Sequence, residues 1–78
     1  MKLSDVDLNL FVVFDAIYTE GNLTRAGEII GITQPAVSNS LSRLRSLFDD
    51  PLFVRTADGM VPTPVAQNII GSIRQALG

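Results

Sequence analysis

The sequence predicts a small, mainly α-helical domain that carries one two-stranded β-hairpin. Three observations predict it: apolar residues recur at helical spacing in four segments, each segment opens on a residue suited to cap a helix, and an Asp-Gly pair joins two short β-like runs. The chain has 78 residues and no cysteine, so disulfides and thiolate metal sites cannot supplement its core. We therefore expect one domain whose helices supply most of the buried surface.

The composition argues against an enzyme. The chain contains no histidine, its eight carboxylates are scattered, and it has no Gly-rich phosphate loop or nucleophile elbow. We therefore predict no catalytic residues, metal site or cofactor. The apolar residues are interrupted too often for a membrane span, and the amino terminus lacks a signal-peptide pattern. These features lead us to expect a cytoplasmic protein that does not contact the membrane.

Charge is unevenly distributed along the chain. The formal net charge is −2, which taken alone argues against a nucleic-acid partner. The excess carboxylates, however, lie in the first 20 residues, whereas residues 21–61 are formally neutral. Two cations, Lys2 and Arg74, are expected to be simply solvated. The other arginines are concentrated in the middle of the chain: Arg25, Arg43, Arg45 and Arg55.

The first predicted helix runs from about Asp5 to about Thr19, with Ser4 or Asp5 as its cap. Its apolar residues cover most of its circumference, and a helix of that kind is normally buried on most sides. A chain of 78 residues offers little to cover such a helix, so we expect a partner chain to contribute. The apolar residues are Leu8, Leu10, Phe11, Val12, Val13, Phe14, Ile17 and Tyr18.

The next two helices are predicted from their caps and stops. Asn22 caps a short helix that ends near Ile30, where Gly31 stops it. Thr33 caps the third helix, which carries Pro35 in its first turn and ends at Asp49-Asp50-Pro51.

The connection between these helices has the pattern of a helix-turn-helix. Such a pair needs a small residue where the helices cross, a glycine in the turn and an aliphatic plug after it. Gly27, Gly31 and Val37 supply them in that order.

The third helix combines an apolar face with an opposite polar ridge. At 100° per residue, Val37, Leu41, Leu44 and Phe48 share the core face. Short polar side chains let a helix enter the major groove of DNA, where Gln and Asn read base edges and flanking arginines reach phosphates. The alternative is an ordinary solvated face. The ridge consists of Pro35, Ser38, Asn39, Ser42 and Ser46, with Arg43 and Arg45 on its shoulders and Gln34 beside Arg45.

The segment after this helix predicts a hairpin. Leu52 to Arg55 and Met60 to Val61 are short β-like runs joined by Thr56-Ala57-Asp58-Gly59. Arg55 would then enter the minor groove or grip a phosphate, the alternative being an ordinary edge-strand charge. Arg25 in the second helix is either a phosphate contact or a solvated charge.

A fourth helix opens at Thr63-Pro64. Its apolar residues are spaced four, three and four apart, which is the spacing of a heptad seam. We expect this seam, together with the first helix, to form a dimer interface. The residues assigned to it are Phe11, Ala66, Ile70, Ile73 and Leu77.

The chain resembles the amino-terminal DNA-binding domain of LysR-type bacterial transcriptional regulators. The resemblance is carried by "DLNLFVVFDAI", "LTRAGEIIGITQPAVSNSLSRLR", "DPLFVRTADGM" and "PTPVA", which together extend from Asp7 to Ala66. "TQPAVSNSLSRLR" and "DPLFVRT" look most like the branch that contains nodulation and aromatic-degradation regulators. Gly27 departs from the alanine usual in the family, which costs about 1 kcal/mol of helix stability and predicts a looser second helix.

The resemblance implies a winged helix-turn-helix in residues 1–62, made of three helices and a two-stranded hairpin wing. Residues 63–78 would start a linker or dimerisation helix, and the carboxy-terminal effector-binding domain is absent from this chain. It implies a homodimer on an inverted-repeat operator in double-stranded DNA, tetramers of the full-length protein, and a small-molecule inducer bound only by the missing domain. The DNA-binding residues carried over are Arg25, Thr33, Gln34, Pro35, Ser38, Asn39, Ser42, Arg43 and Arg55, to which the ridge adds Arg45.

One alternative from a different class stays open. A winged-helix module that mediates dimerisation or protein–protein contact, without binding DNA, would suit the acidic composition and the apolar first helix equally well. The ridge flanked by arginines distinguishes the two interpretations, because a protein-binding face has no need of it.

Overall fold

A computed structural model describes residues 7–78 of the chain. They form four helices and one two-stranded antiparallel sheet. The elements are, in order, α1 (Leu8–Glu20), α2 (Leu23–Ile30), α3 (Gln34–Phe48), β1 (Phe53–Thr56), β2 (Gly59–Pro62) and α4 (Pro64–Leu77). The mainly α-helical fold with one hairpin is as predicted. None of the helices in residues 7–78 is long and apolar enough to cross a membrane.

Helix α1 begins later than the sequence suggested. Asp7 is its N-cap, and its carboxylate accepts a hydrogen bond from the Asn9 amide at 2.9 Å. Gly21 ends the helix in the left-handed conformation, with φ of 66°. The expected caps Ser4 and Asp5 lie outside the described residues.

The caps of the other helices match the prediction. The side chains of Asn22, Thr33 and Thr63 accept hydrogen bonds from the amides of Arg25, Ala36 and Ala66. In each case the side chain satisfies an amide that the first helical turn leaves free.

The hairpin is slightly displaced from the predicted strands. Thr56 pairs with Gly59, so Ala57 and Asp58 form a two-residue loop. Each strand extends to the loop, one residue further than expected at Thr56 and at Gly59. At the other end Phe53 pairs with Pro62, which brings β2 directly to the start of α4.

The core lies around α1, which is covered by α2, α3, α4 and the hairpin. Phe53 enters it from β1 and lies 5.1 Å from the Phe14 ring and 6.3 Å from the Tyr18 ring, measured between centroids. Most of the apolar surface of α1 is therefore buried within a single chain, which corrects the expectation that a partner must cover it. Leu8 and Val12 remain exposed.

The heptad seam of α4 is likewise used largely inside the chain. Phe11, Ala66 and Ile73 are at most 3% exposed, so within one chain they leave little surface for a second copy. Their assignment to a dimer interface stays a prediction. Ile70 and Leu77 are only half-buried.

Arg74 fastens α4 to α1 rather than being simply solvated. Its Nε donates to Asp15 Oδ1 at 2.8 Å, and its Nη2 donates to Thr19 Oγ1 at 3.3 Å. Its guanidinium also lies 5.4 Å from the centroid of the Tyr18 ring, within the range of a cation–π contact. The expectation for Lys2 lies outside the described residues.

Candidate nucleic-acid interface

Helix α3 presents the predicted ridge to solvent. Its inner face is fixed by Val37, Leu41 and Leu44, each at most 2% exposed. Because these residues recur at helical spacing, the opposite face must point outward. The exposed residues on and beside that face are Thr33, Gln34, Pro35, Asn39, Ser42, Arg43, Arg45 and Ser46, whereas Ser38 is half-buried.

Gln34 is hydrogen-bonded to one side chain of the ridge. Gln34 Nε2 donates to Ser38 Oγ at 3.0 Å, one helical turn further along. The bond orients the Gln34 amide and leaves its carbonyl oxygen and one N–H free. A glutamine with both groups free can pair with two atoms of an adenine edge.

The helix crossing depends on Gly27. A Cβ placed there would lie 2.7 Å from the carbonyl oxygen of Ile32 and 3.1 Å from Val37 Cγ2. The Ile32 amide also donates to the Gly27 carbonyl at 2.9 Å, which closes the turn after α2. Gly27 is thus buried at a close contact that sets the position of α3 against α2, and the predicted small residue and plug meet as expected.

The arginines differ in how they are engaged. Arg25 lies 3.6 Å from Glu20 and 4.0 Å from Glu28, with its side chain 64% exposed. Exposed pairs of this kind contribute little to stability and can be exchanged for another anion. Arg43 and Arg55 are exposed and, among residues 7–78, form neither an ion pair nor a side-chain hydrogen bond.

Arg45 is committed to the base of the hairpin. Its Nε donates to the carbonyl oxygen of Pro51 at 2.7 Å, and its Nη2 donates to that of Phe53 at 2.9 Å. Helical-wheel analysis correctly placed Arg45 on a shoulder of α3 but could not show that the chain turns back beneath it. The bonds tie the carboxy-terminal part of α3 to the start of β1.

Asp50 is a structural residue that the sequence analysis treated only as a helix stop. Its Oδ2 accepts hydrogen bonds from the Leu52 amide at 2.8 Å and from the Thr63 hydroxyl at 2.7 Å. Leu52 is fully buried and has φ of 63°, a conformation that is unfavourable for a bulky side chain. The carboxylate therefore holds a strained turn and joins it to the N-cap of α4.

The far side of the hairpin is held by backbone contact. The Met60 amide donates to the Gly21 carbonyl at 2.8 Å, at the corner between α1 and α2. A Cβ at Gly59 would lie 2.5 Å from that same oxygen, and Gly59 has φ of 108°. The Asp-Gly pair indicated a hairpin, but only the fold shows that its glycine also permits this docking.

Taken together, the architecture is a helix-turn-helix followed by a hairpin fastened to both α3 and the α1–α2 corner. The model for bacterial regulatory helix-turn-helix proteins of the lysR family matches residues 8–67. This match covers most of the chain, and the chain belongs to that family. Relatives that the chain matches are described as transcriptional regulators and activators and not as enzymes, in agreement with the prediction from the composition.

Two curated relatives show how much of a regulator the chain represents. It is similar to the HTH-type transcriptional regulator LeuO of Escherichia coli (strain K12), with 53% identity over 76 residues, covering 97% of this chain and 24% of LeuO. It is also similar to Nodulation protein D 1 of Bradyrhizobium elkanii, with 47% identity over 77 residues, 99% of this chain and 24% of the relative. The chain thus spans about a quarter of their length, and the predicted resemblance to nodulation regulators is confirmed.

A solved structure supports the fold. The crystal structure described as "CbnR_DBD-DNA complex" superimposes with a TM-score of 0.86 at 19% identity, over 92% of this chain and 83% of that one. The winged helix-turn-helix is therefore confirmed as the fold class.

Proposed function

We propose that the chain is the DNA-reading domain of a bacterial transcriptional regulator, with α3 as the recognition helix in the major groove. The observation that carries the proposal is the α3 ridge, where short polar side chains lie outward beside Arg43, which has no ion-pair partner among residues 7–78. Gln34, Asn39 and Ser42 would contact base edges, while Arg43 would neutralise a phosphate. Thr33, Pro35 and Ser38 would complete the contact surface at the start of the helix.

The hairpin would act as the wing. Arg55 on β1 is exposed and, within residues 7–78, unpaired, so it is free to reach a phosphate or the minor groove beside α3. Arg25 at the start of α2 would exchange its carboxylate partners, Glu20 and Glu28, for a phosphate. The structural neighbour described as a DNA complex supports this role for the fold, while the residue roles are our assignment for this chain.

We place this domain in a larger, dimeric protein. Ile70 and Leu77 retain surface on α4 for a helix–helix contact, and Leu8 and Val12 remain exposed on α1. A homodimer would present two α3 helices to an inverted-repeat operator, with half-sites about one helical turn or a multiple apart. An effector-binding domain after residue 78 would bind the small-molecule inducer and would support tetramers of the full-length protein. The protein would act in the cytoplasm, where bacterial DNA lies.

The test is selection of bound sequences from a pool of randomised duplex DNA at two salt concentrations. We expect an inverted repeat to be enriched and to bind more weakly at the higher salt concentration, because phosphate contacts release counterions. If nothing is enriched, the selection is repeated with the domain fused to a dimerising coiled coil. Failure of the fused protein to enrich any sequence would contradict the proposal and favour the protein-interaction module.

A further inference from the structure

The hairpin of this domain makes few contacts with the recognition helix, so its position relative to α3 depends on a small number of bonds. The core anchors the base of the hairpin through Leu52 and Phe53, both fully buried, and the far strand is held against α1 through Met60. Beyond Phe53, the rest of β1 is exposed, including Arg55. Met60, which pairs with Arg55, holds the hairpin to the α1–α2 corner, so the direct link between Arg55 and α3 is the junction where the chain leaves α3 and enters β1.

Arg45 is the side chain that spans this junction. It lies on α3, within three residues of Ser42 and Arg43, and it donates to the carbonyls of Pro51 and Phe53. A guanidinium presents its donors in a rigid planar fork, so two simultaneous bonds fix direction as well as distance. A single point charge could not bridge the two carbonyls in the same way.

We propose that Arg45 is a wing-positioning residue: it acts on DNA binding through the placement of Arg55 and does not itself neutralise a phosphate. This replaces its sequence-based assignment as a shoulder cation and rests on the proposed DNA-reading function. A phosphate contact would compete with the bonds of 2.7 and 2.9 Å that Arg45 donates to the carbonyls of Pro51 and Phe53. Binding of a phosphate by Arg45 would therefore weaken the two hydrogen bonds that hold the hairpin against α3.

The two roles give different predictions for a double-mutant cycle. If Arg45 and Arg55 each held a phosphate, removing both would multiply the losses. A salt slope of about 0.9 per phosphate corresponds to roughly eightfold in affinity at 0.1 M salt, so the double variant would lose roughly 64-fold. If Arg45 acts through Arg55, the double variant should bind about as weakly as Arg55→Met alone, roughly eightfold below the wild type.

The experiment measures fluorescence anisotropy of a labelled duplex that carries the sequence enriched by the wild-type domain, at several salt concentrations. The proteins are the wild type, Arg45→Met, Arg55→Met and the double variant. Arg74→Met is the matched control, since it also removes a hydrogen-bonded arginine but lies between α4 and α1. We expect Arg45→Met to change affinity less than twofold in the Arg55→Met background, and Arg74→Met to leave the salt slope unchanged.

Lysine at position 45 gives an independent test. It keeps the charge but lacks the planar fork that fixes the direction of both bonds, so Arg45→Lys should bind within twofold of Arg45→Met. If Arg45→Met does not fold, Arg45→Lys is compared directly with the wild type: weaker binding supports the positioning role, and unchanged binding supports a phosphate contact. In Arg45→Lys the amide NMR signals of residues 52–56 should shift and exchange faster with solvent. Multiplying losses, or rescue by lysine, would overturn the proposal while leaving the DNA-reading function standing. Failure of the wild type to bind any enriched duplex would instead contradict the proposed function itself.

Discussion

Replacing Gly59 by alanine should strongly destabilise this domain. Gly59 has φ of 108°, and an added Cβ would lie 2.5 Å from the carbonyl oxygen of Gly21. A non-glycine residue in such a conformation costs about 1–3 kcal/mol. The contact would also force apart the Met60 amide and the Gly21 carbonyl, whose hydrogen bond is worth about 0.5–1.5 kcal/mol. We expect a total loss of about 3 kcal/mol in the free energy of unfolding.

That loss is large for a domain of this size, whose total stability falls at roughly 4–12 kcal/mol. Since 1 kcal/mol shifts the Tm of such a domain by about 4–8 °C, Gly59→Ala should lower it by roughly 12–24 °C. Thermal unfolding followed by circular dichroism at 222 nm measures the shift. Urea denaturation at 25 °C measures the free energy independently.

The chain provides a matched control in Gly71, which lies in the exposed middle of α4 with no atom within 4 Å of a built Cβ. The same substitution there should stabilise the helix by about 0.5–1 kcal/mol, because alanine is the better helix former. A Gly59→Ala protein that melts at the wild-type temperature would refute the reasoning. It would mean that the hairpin holds its place without the backbone contact at Gly21.

Three further predictions concern the reading surface and the turn that supports it. Gln34→Ala should cost about 1–3 kcal/mol on the preferred sequence and relax the preference at one base position, as measured by repeated selection; a uniform loss on all sequences would contradict base reading. Arg43→Met should reduce the salt slope of binding by about 1, whereas an unchanged slope would remove it from the phosphate contacts. Asp50→Ala should lower the free energy of unfolding, measured in urea, by about 1.5–3 kcal/mol, because the Leu52 amide and the Thr63 hydroxyl lose a charged acceptor. Asp50→Asn keeps an acceptor oxygen and should lose less stability. Equal losses in the two variants would contradict the role of the carboxylate as acceptor.

The features that sequence predicted well are those decided by a few neighbouring residues. Asn22, Thr33 and Thr63 were assigned as caps because a short polar side chain needs only the next three residues to satisfy a free amide. The core face of α3 followed from spacing alone. Only Phe48, near the end of the helix, is less buried than that spacing suggests.

The features that sequence missed join residues through the fold. Arg45 meets the carbonyls of Pro51 and Phe53 only because the chain reverses after α3, and a helical wheel contains no information on that reversal. Gly27 shows two predictions from one residue, since the helix-turn-helix pattern correctly predicted a close helix crossing there. Its helix propensity predicted a looser α2, yet the absent Cβ is what lets α2 approach the Ile32 carbonyl and Val37 closely.

The seam of α4 shows why periodicity cannot identify the partner of an apolar face. A spacing of four, three and four fixes which residues share a face, but the free energy of burial is the same whether the covering surface belongs to the same chain or to another. In this domain the rest of the chain buries the seam at Ala66 and Ile73 and leaves Ile70 and Leu77 half-covered. A dimer built on α4 must therefore use the edge of the seam, and its contact area depends on residues beyond that edge. Substituting Leu77 should weaken self-association without unfolding the domain. Substituting Ile73 should instead lower the free energy of unfolding of the single chain.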